Sequence, residues 1–316
     1  MKRRGKKRFA LLRTSVGRWS EDKAPKMAAA LAFYSCFALG PLLFLAIQVA
    51  GLVFGREAAQ GQVVHEIQGL VGKESAKAVE DVLRNLSEPK TGLLASIIGF
   101  VALLIGASGV FGELQDSFNV IWKVEKKPGR GVWGTLKDRF LSLSMVFGLG
   151  FLLLISLVLS AGLSALGTWI GGEDAGWLLQ AASVLVSLGV VTTIFALMFR
   201  ALPDARTSWK DAWFGGLLTA ALFTLGKFAI GVYLGQGSVA TTYGAAGAFL
   251  LVLLWVYYSS QILFLGAEVT KAYADLRGHA PAPDPDAVPA ENAGRARSPR
   301  HSAEIVIQLG SRRRRR

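Results

Sequence analysis

The sequence predicts an all-α integral membrane protein, a six-helix transmembrane bundle with both termini cytoplasmic. Two observations carry that prediction: apolar runs of bilayer-spanning length, and basic residues concentrated on one side of them. The chain has 316 residues, of which 52% are hydrophobic and 18% charged, with a mean hydropathy of +0.41. A soluble domain carries about a quarter charged residues, so this chain is short of the charge that a water-facing surface needs.

A helix that crosses a bilayer needs about 20 consecutive apolar residues. Six such runs stand in the sequence: Met27 to Phe54, Gly92 to Gly112, Phe140 to Leu166, Trp177 to Phe199 with the helix carried to 202, Ala212 to Leu234, and Tyr243 to Ala267. Only the fifth contains a charge, Lys227. Buried helices of a soluble protein would show polar stripes at helical spacing, and these runs lack them. Run one is too long for a secretory signal and ends in "GLVFGRE" without a small-x-small cleavage pattern, so it is read as a retained span.

Orientation follows from the basic residues, which stay on the cytoplasmic side in short loops. Residues 1–26, the loop after run two, the turn from Arg200 to Asp211 and the tail together hold 29 of the 35 Lys and Arg. Five others lie between Arg56 and Lys90, which places that loop outside. The net charge of +13 is thus a consequence of topology, and no specific nucleic-acid partner is expected. The partners expected are the bilayer and, for the basic tails, anionic lipid headgroups. The single cysteine, Cys36, excludes an intramolecular disulfide.

Residues 1–26 form a basic cytoplasmic segment, 27–275 the membrane domain, and 276–316 a tail rich in Pro, Ala and charge. That composition buries no core, so the tail is expected to be disordered. In the outer loop 56–90, apolar residues recur at Val63, Val64, Ile67, Leu70 and Val71, then at Val79, Val82, Leu83 and Leu86. The spacing of three and four predicts two short amphipathic helices. Past run two, Leu114, Phe118, Ile121 and Trp122 share one helical face and Glu113, Asp116 and Asn119 another, so that helix should extend beyond the membrane and stop at Pro128-Gly129. Pro41 should kink the first span. Close helix approach is expected at Gly51 with Gly55, Gly106 with Gly109 and Gly112, Gly167 with Gly171, and Gly231 with Gly235.

The stretches "AAALAFYSCFALGPLLFL", "GVFGELQDSFNVIWKVE", "LPDARTSWKDAWFGGLLTAALFTLGKFAIGVYL" and "YGAAGAFLLVLLWVYYSSQILFLGAEVTKAYA" resemble the YihY/BrkB family of bacterial inner-membrane proteins over about residues 15 to 275. The resemblance implies six membrane helices with both ends inside, and transport of an envelope component. Members have carried the older labels of ribonuclease BN and of a serum-resistance virulence factor. The chain departs from the family in its arginine-rich tail and in Cys36, at a position more often serine-like.

The residues offer little for an enzyme. His65, His279 and His301 are too scattered for a metal site, and there is no phosphate loop, no nucleophile elbow and no acid cluster beside a base. No catalytic residue, metal or cofactor is expected, and a ribonuclease is the least supported reading. A transporter or flippase of an anionic or lipid-like envelope component has better support; the alternative is a non-transporting scaffold that recruits envelope partners. The pore-lining or substrate candidates are Lys227, Tyr257, Gln261, Glu268 and Gln48, with Cys36, Thr192 and Thr193 as further polar groups inside spans. Tyr257, Gln261, Phe264 and Glu268 fall on one face of span six. Buried polar groups in lipid need partners, so each is either a transport station or interhelical glue. Lys227, flanked by Gly226 and Gly231, is expected to face the interior. Arg200, Asp204, Arg206 and Lys210 gather in one inner turn beside Trp209 and Trp213, as headgroup ligands or as topology anchors.

Overall fold

The computed structural model describes residues 2–36, 38, 93–127, 173–236 and 239–292. The first span beyond residue 38 with Pro41 and Gln48, the outer loop, the third span, the glycine pairs 51/55 and 167/171, and the tail from 293 lie outside the described residues.

The described chain is mostly helical. Helix α1 spans Lys2–Glu21 and is followed by α2, helical over 24–36. Between them Lys23 takes the left-handed conformation (φ 56°), and its carbonyl accepts the first backbone bonds of α2, from Lys26 (2.8 Å) and Met27 (3.3 Å). Pro25 sits in the first turn of α2, where a missing N–H costs nothing. Helix α3, Leu93–Trp122, runs 30 residues, about 45 Å at 1.5 Å per residue. That exceeds the thickness of a bilayer core, about 30 Å. It stops earlier than Pro128: Lys123 turns left-handed (φ 58°) and strand β1, Val124–Lys126, follows.

Helix α4 is Glu173–Ala201, β2 is Ala205–Arg206, α5 is Trp209–Gln236 and α6 is Val239–Leu276. Pro203 stops α4, and the Ser208 carbonyl receives the first bonds of α5 from Asp211 (3.1 Å) and Ala212 (2.9 Å). Gly278 ends α6 at φ +74°, a left-handed position that glycine fills without strain, and His279 N–H bonds back to the Ala274 carbonyl at 3.0 Å. Among the described residues, α4, α5 and α6 are long and apolar enough to cross a membrane, over Val184–Ala201, Trp209–Ala229 and Val252–Leu276.

Helix α5 packs on α4 and on α6, while α1 and α3 also pack on α6. The α5–α6 pair is antiparallel: Gly215 meets Thr270, Gly266 meets Thr219, and Gly226 meets Tyr258 and Ile262. Gly106 and Gly109 of α3 lie against Ala38 and Tyr34, as expected of close approach, whereas Gly112 has open space around it. Aromatic rings form a continuous buried cluster. Phe118 sits edge-on to Trp122, Phe199 and Phe264 at centroid distances of 5.6, 5.8 and 6.1 Å, and Phe195, Phe223 and Trp255 continue the chain of rings. Leu185, Leu217, Leu225 and Phe228 point outward, as lipid-facing side chains do.

The segment after Leu276 corrects one expectation. Residues 282–289 are ordered: β3 (Ala282–Pro283) pairs with β2, and β4 (Ala287–Pro289) pairs with β1, both antiparallel. Composition argues only that such a segment has no core of its own. It omits the backbone bonds that two inner loops offer, and edge strands of this kind tolerate proline. Ala290 N–H donates to the Lys123 carbonyl (2.9 Å) and Asp284 N–H to the Asp204 carbonyl (3.0 Å).

Candidate functional site

The polar residues converge where α1, the end of α3, the α4–α5 turn and the end of α6 meet. Asn119, on the α3 face that also carries Glu113 and Asp116, is only 6% exposed. Its amide nitrogen donates to Asp204 Oδ2 (2.8 Å), and its carbonyl oxygen accepts from the Asp204 N–H (2.8 Å). Gln115 adds two longer bonds to the same carboxylate, each 3.3 Å, and its own carbonyl accepts from Lys126 at 3.1 Å. One turn on, Trp122 Nε1 donates to Thr207 Oγ1 at 2.9 Å. The far side of this face opens on a cleft of about 340 Å³ lined by Asp116, Asn119, Val120, Val124, Glu125 and Lys126.

This accounts for the inner-turn candidates. Asp204 is occupied by α3. Arg200 donates to the Thr207 carbonyl and lies 4.6 Å over the Trp209 ring. Arg206 pairs with Asp284 at 3.1 Å, and Lys210 is exposed beside the exposed Trp209 and Trp213. Asp211, buried at the start of α5, accepts from Arg277 at 3.3 Å, which ties the two ends of α5 and α6 together.

A second cluster lies under the α1–α2 turn. Glu268 of α6 is 0% exposed, and neither of its carboxyl oxygens has a hydrogen-bond donor. Asp22, from the turn, is the acid beside it; Asp22 Oδ1 pairs with Lys123, while Oδ2 is buried without a donor. Lys271, one turn after Glu268, donates to the Ile121 carbonyl at 2.7 Å, and Arg18 pairs with Asp275 at 2.8 Å.

The α6 candidates thus separate. Glu268 is wholly buried, Gln261 is partly buried with its side-chain carbonyl oxygen unpartnered, and Tyr257 packs against the aromatic core. Lys227 does not join them. Gly226 takes the packed face of α5, so the next side chain points away and Lys227 is exposed. Thr192 and Thr193 bond to the carbonyls four residues before them, at 2.7 and 2.8 Å, and are satisfied within α4. Asp22, Lys123, Gln115 and Asn119 were not singled out as site residues from sequence. Asn119 and Asp204 are 85 residues apart and follow no motif. Among the described residues, no group of three His, Cys, Asp or Glu is placed to hold a metal ion.

The family model described as Virulence factor BrkB matches residues 15–291. A UPF0761 membrane protein of Stenotrophomonas maltophilia strain K279a is 30% identical over 262 residues, 82% of this chain and 60% of that protein. One from Azotobacter vinelandii is 32% identical over 259 residues, 80% of this chain and 60% of the relative. A third, from Psychrobacter, is 26% identical over 263 residues, covering 83% and 48%. The chain spans about 60% of the length of the first of these relatives. No solved structure matches it. With the match running from α1 through β4 and the helices long enough to cross a membrane, this chain belongs to the virulence factor BrkB family of membrane proteins.

Proposed function

We propose that the protein is a transporter or flippase that moves an anionic or lipid-like envelope component across the bacterial inner membrane, with both termini cytoplasmic and no enzymatic step of its own. The observation that supports this most directly is Glu268, a fully buried carboxyl group without a hydrogen-bond donor at the end of an apolar helix. Ionisable groups in such places are costly to keep and mark transport paths in membrane bundles. Gln261, two helical turns away on the same face of α6, adds a second unpartnered acceptor. Arg206 on the α4–α5 turn and Lys210 in the first turn of α5, both exposed near Trp209 and Trp213, would meet anionic headgroups, as would the basic α1.

The aromatic packing favours a second reading. Phe118, Phe195, Phe199, Phe223 and Phe264 pack into one apolar cluster between the described helices, which suits a scaffold that recruits envelope partners. Proteoliposomes separate the two. The protein is reconstituted into phosphatidylethanolamine and phosphatidylglycerol vesicles that carry a fluorescent phosphatidylglycerol. Protein-dependent exposure of the inner-leaflet probe to a membrane-impermeant quencher, lost in Glu268→Gln, is the expected result. Quenching no greater than in protein-free vesicles would exclude movement of glycerophospholipids and favour the scaffold.

A further inference from the structure

We propose that Asp22 and Glu268 form a one-proton carboxyl pair, a proton-binding site that fastens the α1–α2 turn to α6. Three buried acceptor atoms lie in this contact, both oxygens of Glu268 and Oδ2 of Asp22, and none receives a donor from the protein. The cations that could have neutralised Glu268 are engaged elsewhere. Lys123 holds the other oxygen of Asp22, Lys271 donates to the Ile121 carbonyl, and Arg18 holds Asp275. No ion pair joins any of them to Glu268 among the described residues.

Two ionised carboxylates side by side repel, and a buried carboxylate without donors loses its hydration with no replacement. A single proton removes both difficulties. Bound to a Glu268 oxygen, it supplies the O–H that Asp22 Oδ2 lacks, so one hydrogen bond satisfies an atom on each side. The facing groups are Arg18 from α1, Asp22 from the turn, Lys123 from the end of α3, and Lys271 and Asp275 from α6. Of these, Lys123 reaches Asp22 and Lys271 reaches the Ile121 carbonyl, so no cation is bonded to Glu268.

The chemistry is one proton transfer. An O–H bond forms on Glu268 with a proton taken from water at the Lys123 side, where that lysine is half exposed, and breaks when the proton returns there. Release leaves two like charges facing each other across the turn. Lys23, next to Asp22 in sequence, and Lys123, the ion-pair partner of Asp22, both take the left-handed conformation. On the transport reading, to which this inference adds but on which the proton site itself does not depend, the proton would be the coupling ion.

Infrared spectroscopy of the purified full chain in lipid, with no substrate present, tests the pair. At neutral pH the protein should show a protonated-carboxyl C=O band that Glu268→Gln abolishes and Asp22→Asn shifts in frequency, and that disappears as the pH is raised. If Glu268→Gln does not fold, the shift in Asp22→Asn and the loss of the band at alkaline pH give the same reading. Absence of the band means that Glu268 is ionised and overturns the site. A band indifferent to Asp22→Asn places the proton on Glu268 alone and overturns the pair. Because no substrate is involved, a failed vesicle assay leaves the proton site standing, and an absent band leaves transport untouched.

Discussion

Gly266 of α6 approaches Thr219 of α5 so closely that a β-carbon at 266 would lie 1.9 Å from the threonine hydroxyl and 2.9 Å from its Cβ. The same contact recurs with roles exchanged, since a β-carbon at Gly215 would lie 1.7 Å from the Thr270 hydroxyl. Each threonine bonds to its own helix, Thr219 to the Gly215 carbonyl and Thr270 to the Gly266 carbonyl, both at 2.7 Å. The hydroxyls are thereby satisfied, and the rest of each side chain fills the space that the opposing glycine leaves. In lipid, where association of apolar helices gains little from burial alone, such close packing holds a pair together.

Gly266→Ala and Gly215→Ala should each destabilise the bundle by about 1–3 kcal/mol, the usual cost of overpacking. Rotating the threonine does not relieve the clash, because its Cβ is itself too near. Equilibrium unfolding in mixed detergent micelles measures the loss. Thr219→Gly should recover part of it in the Gly266→Ala background and none in the Gly215→Ala background; equal recovery in both would break the pairing.

Asn119 joins α3 to the α4–α5 turn through two bonds to Asp204. Asn119→Ala strands the backbone N–H of Asp204 and leaves its carboxylate with only the two longer Gln115 bonds, at a cost of about 1–3 kcal/mol. Asn119→Asp should be worse, because it sets two carboxylates face to face. Thermal melting and protease cutting near Pro203 report the effect. Melting unchanged in both variants would mean that water replaces the amide freely.

The three described spans were legible because their cause is local: a long run with at most one charge must be solvated by lipid wherever the chain places it. Trp177 to Phe199, Ala212 to Leu234 and Tyr243 to Ala267 accordingly fall within α4, α5 and α6. The charged end was not legible, because its partners are distant in sequence. Asp22 reads as one more residue of a basic segment, and only the turn at Lys23 brings it beside Glu268. Glu268 itself stood out as an acid adjoining an apolar run, yet nothing in the sequence said that its oxygens lack donors. Gly215, Gly216, Gly226 and Gly266 make closer contacts than Gly112, which has none, so glycine spacing alone did not rank them.

The strands after Leu276 change what truncation should do. Deleting Pro281 to Arg316 removes β3 and β4, the Arg206–Asp284 pair and the backbone bonds to the two inner loops. The melting temperature should fall, and the β1 and β2 loops should become cleavable by protease. A deletion that starts at 293 keeps both ladders and serves as the control. If the two deletions melt together, the ladders contribute nothing to stability.

Lys227 poses the question of what a charge does inside an apolar span. It lies 18 residues after the start of α5 at Trp209, about 27 Å along the axis. Its neighbours Leu225 and Phe228 are 69% and 76% exposed, and Gly226 alone turns toward α6. A lysine on that face keeps its four-carbon stem in the lipid and raises its ammonium toward the nearer interface. Removing the charge should therefore help insertion, since a lysine at the bilayer centre costs about 2.5–3.5 kcal/mol on insertion scales and less near the edge. Lys227→Met keeps the stem and should leave the unfolding midpoint equal or higher, with phosphatidylglycerol movement in vesicles unchanged. Normal folding with lost movement would show instead that this outward charge serves the substrate, and would move the path from the α6 face to the lipid-facing side of α5.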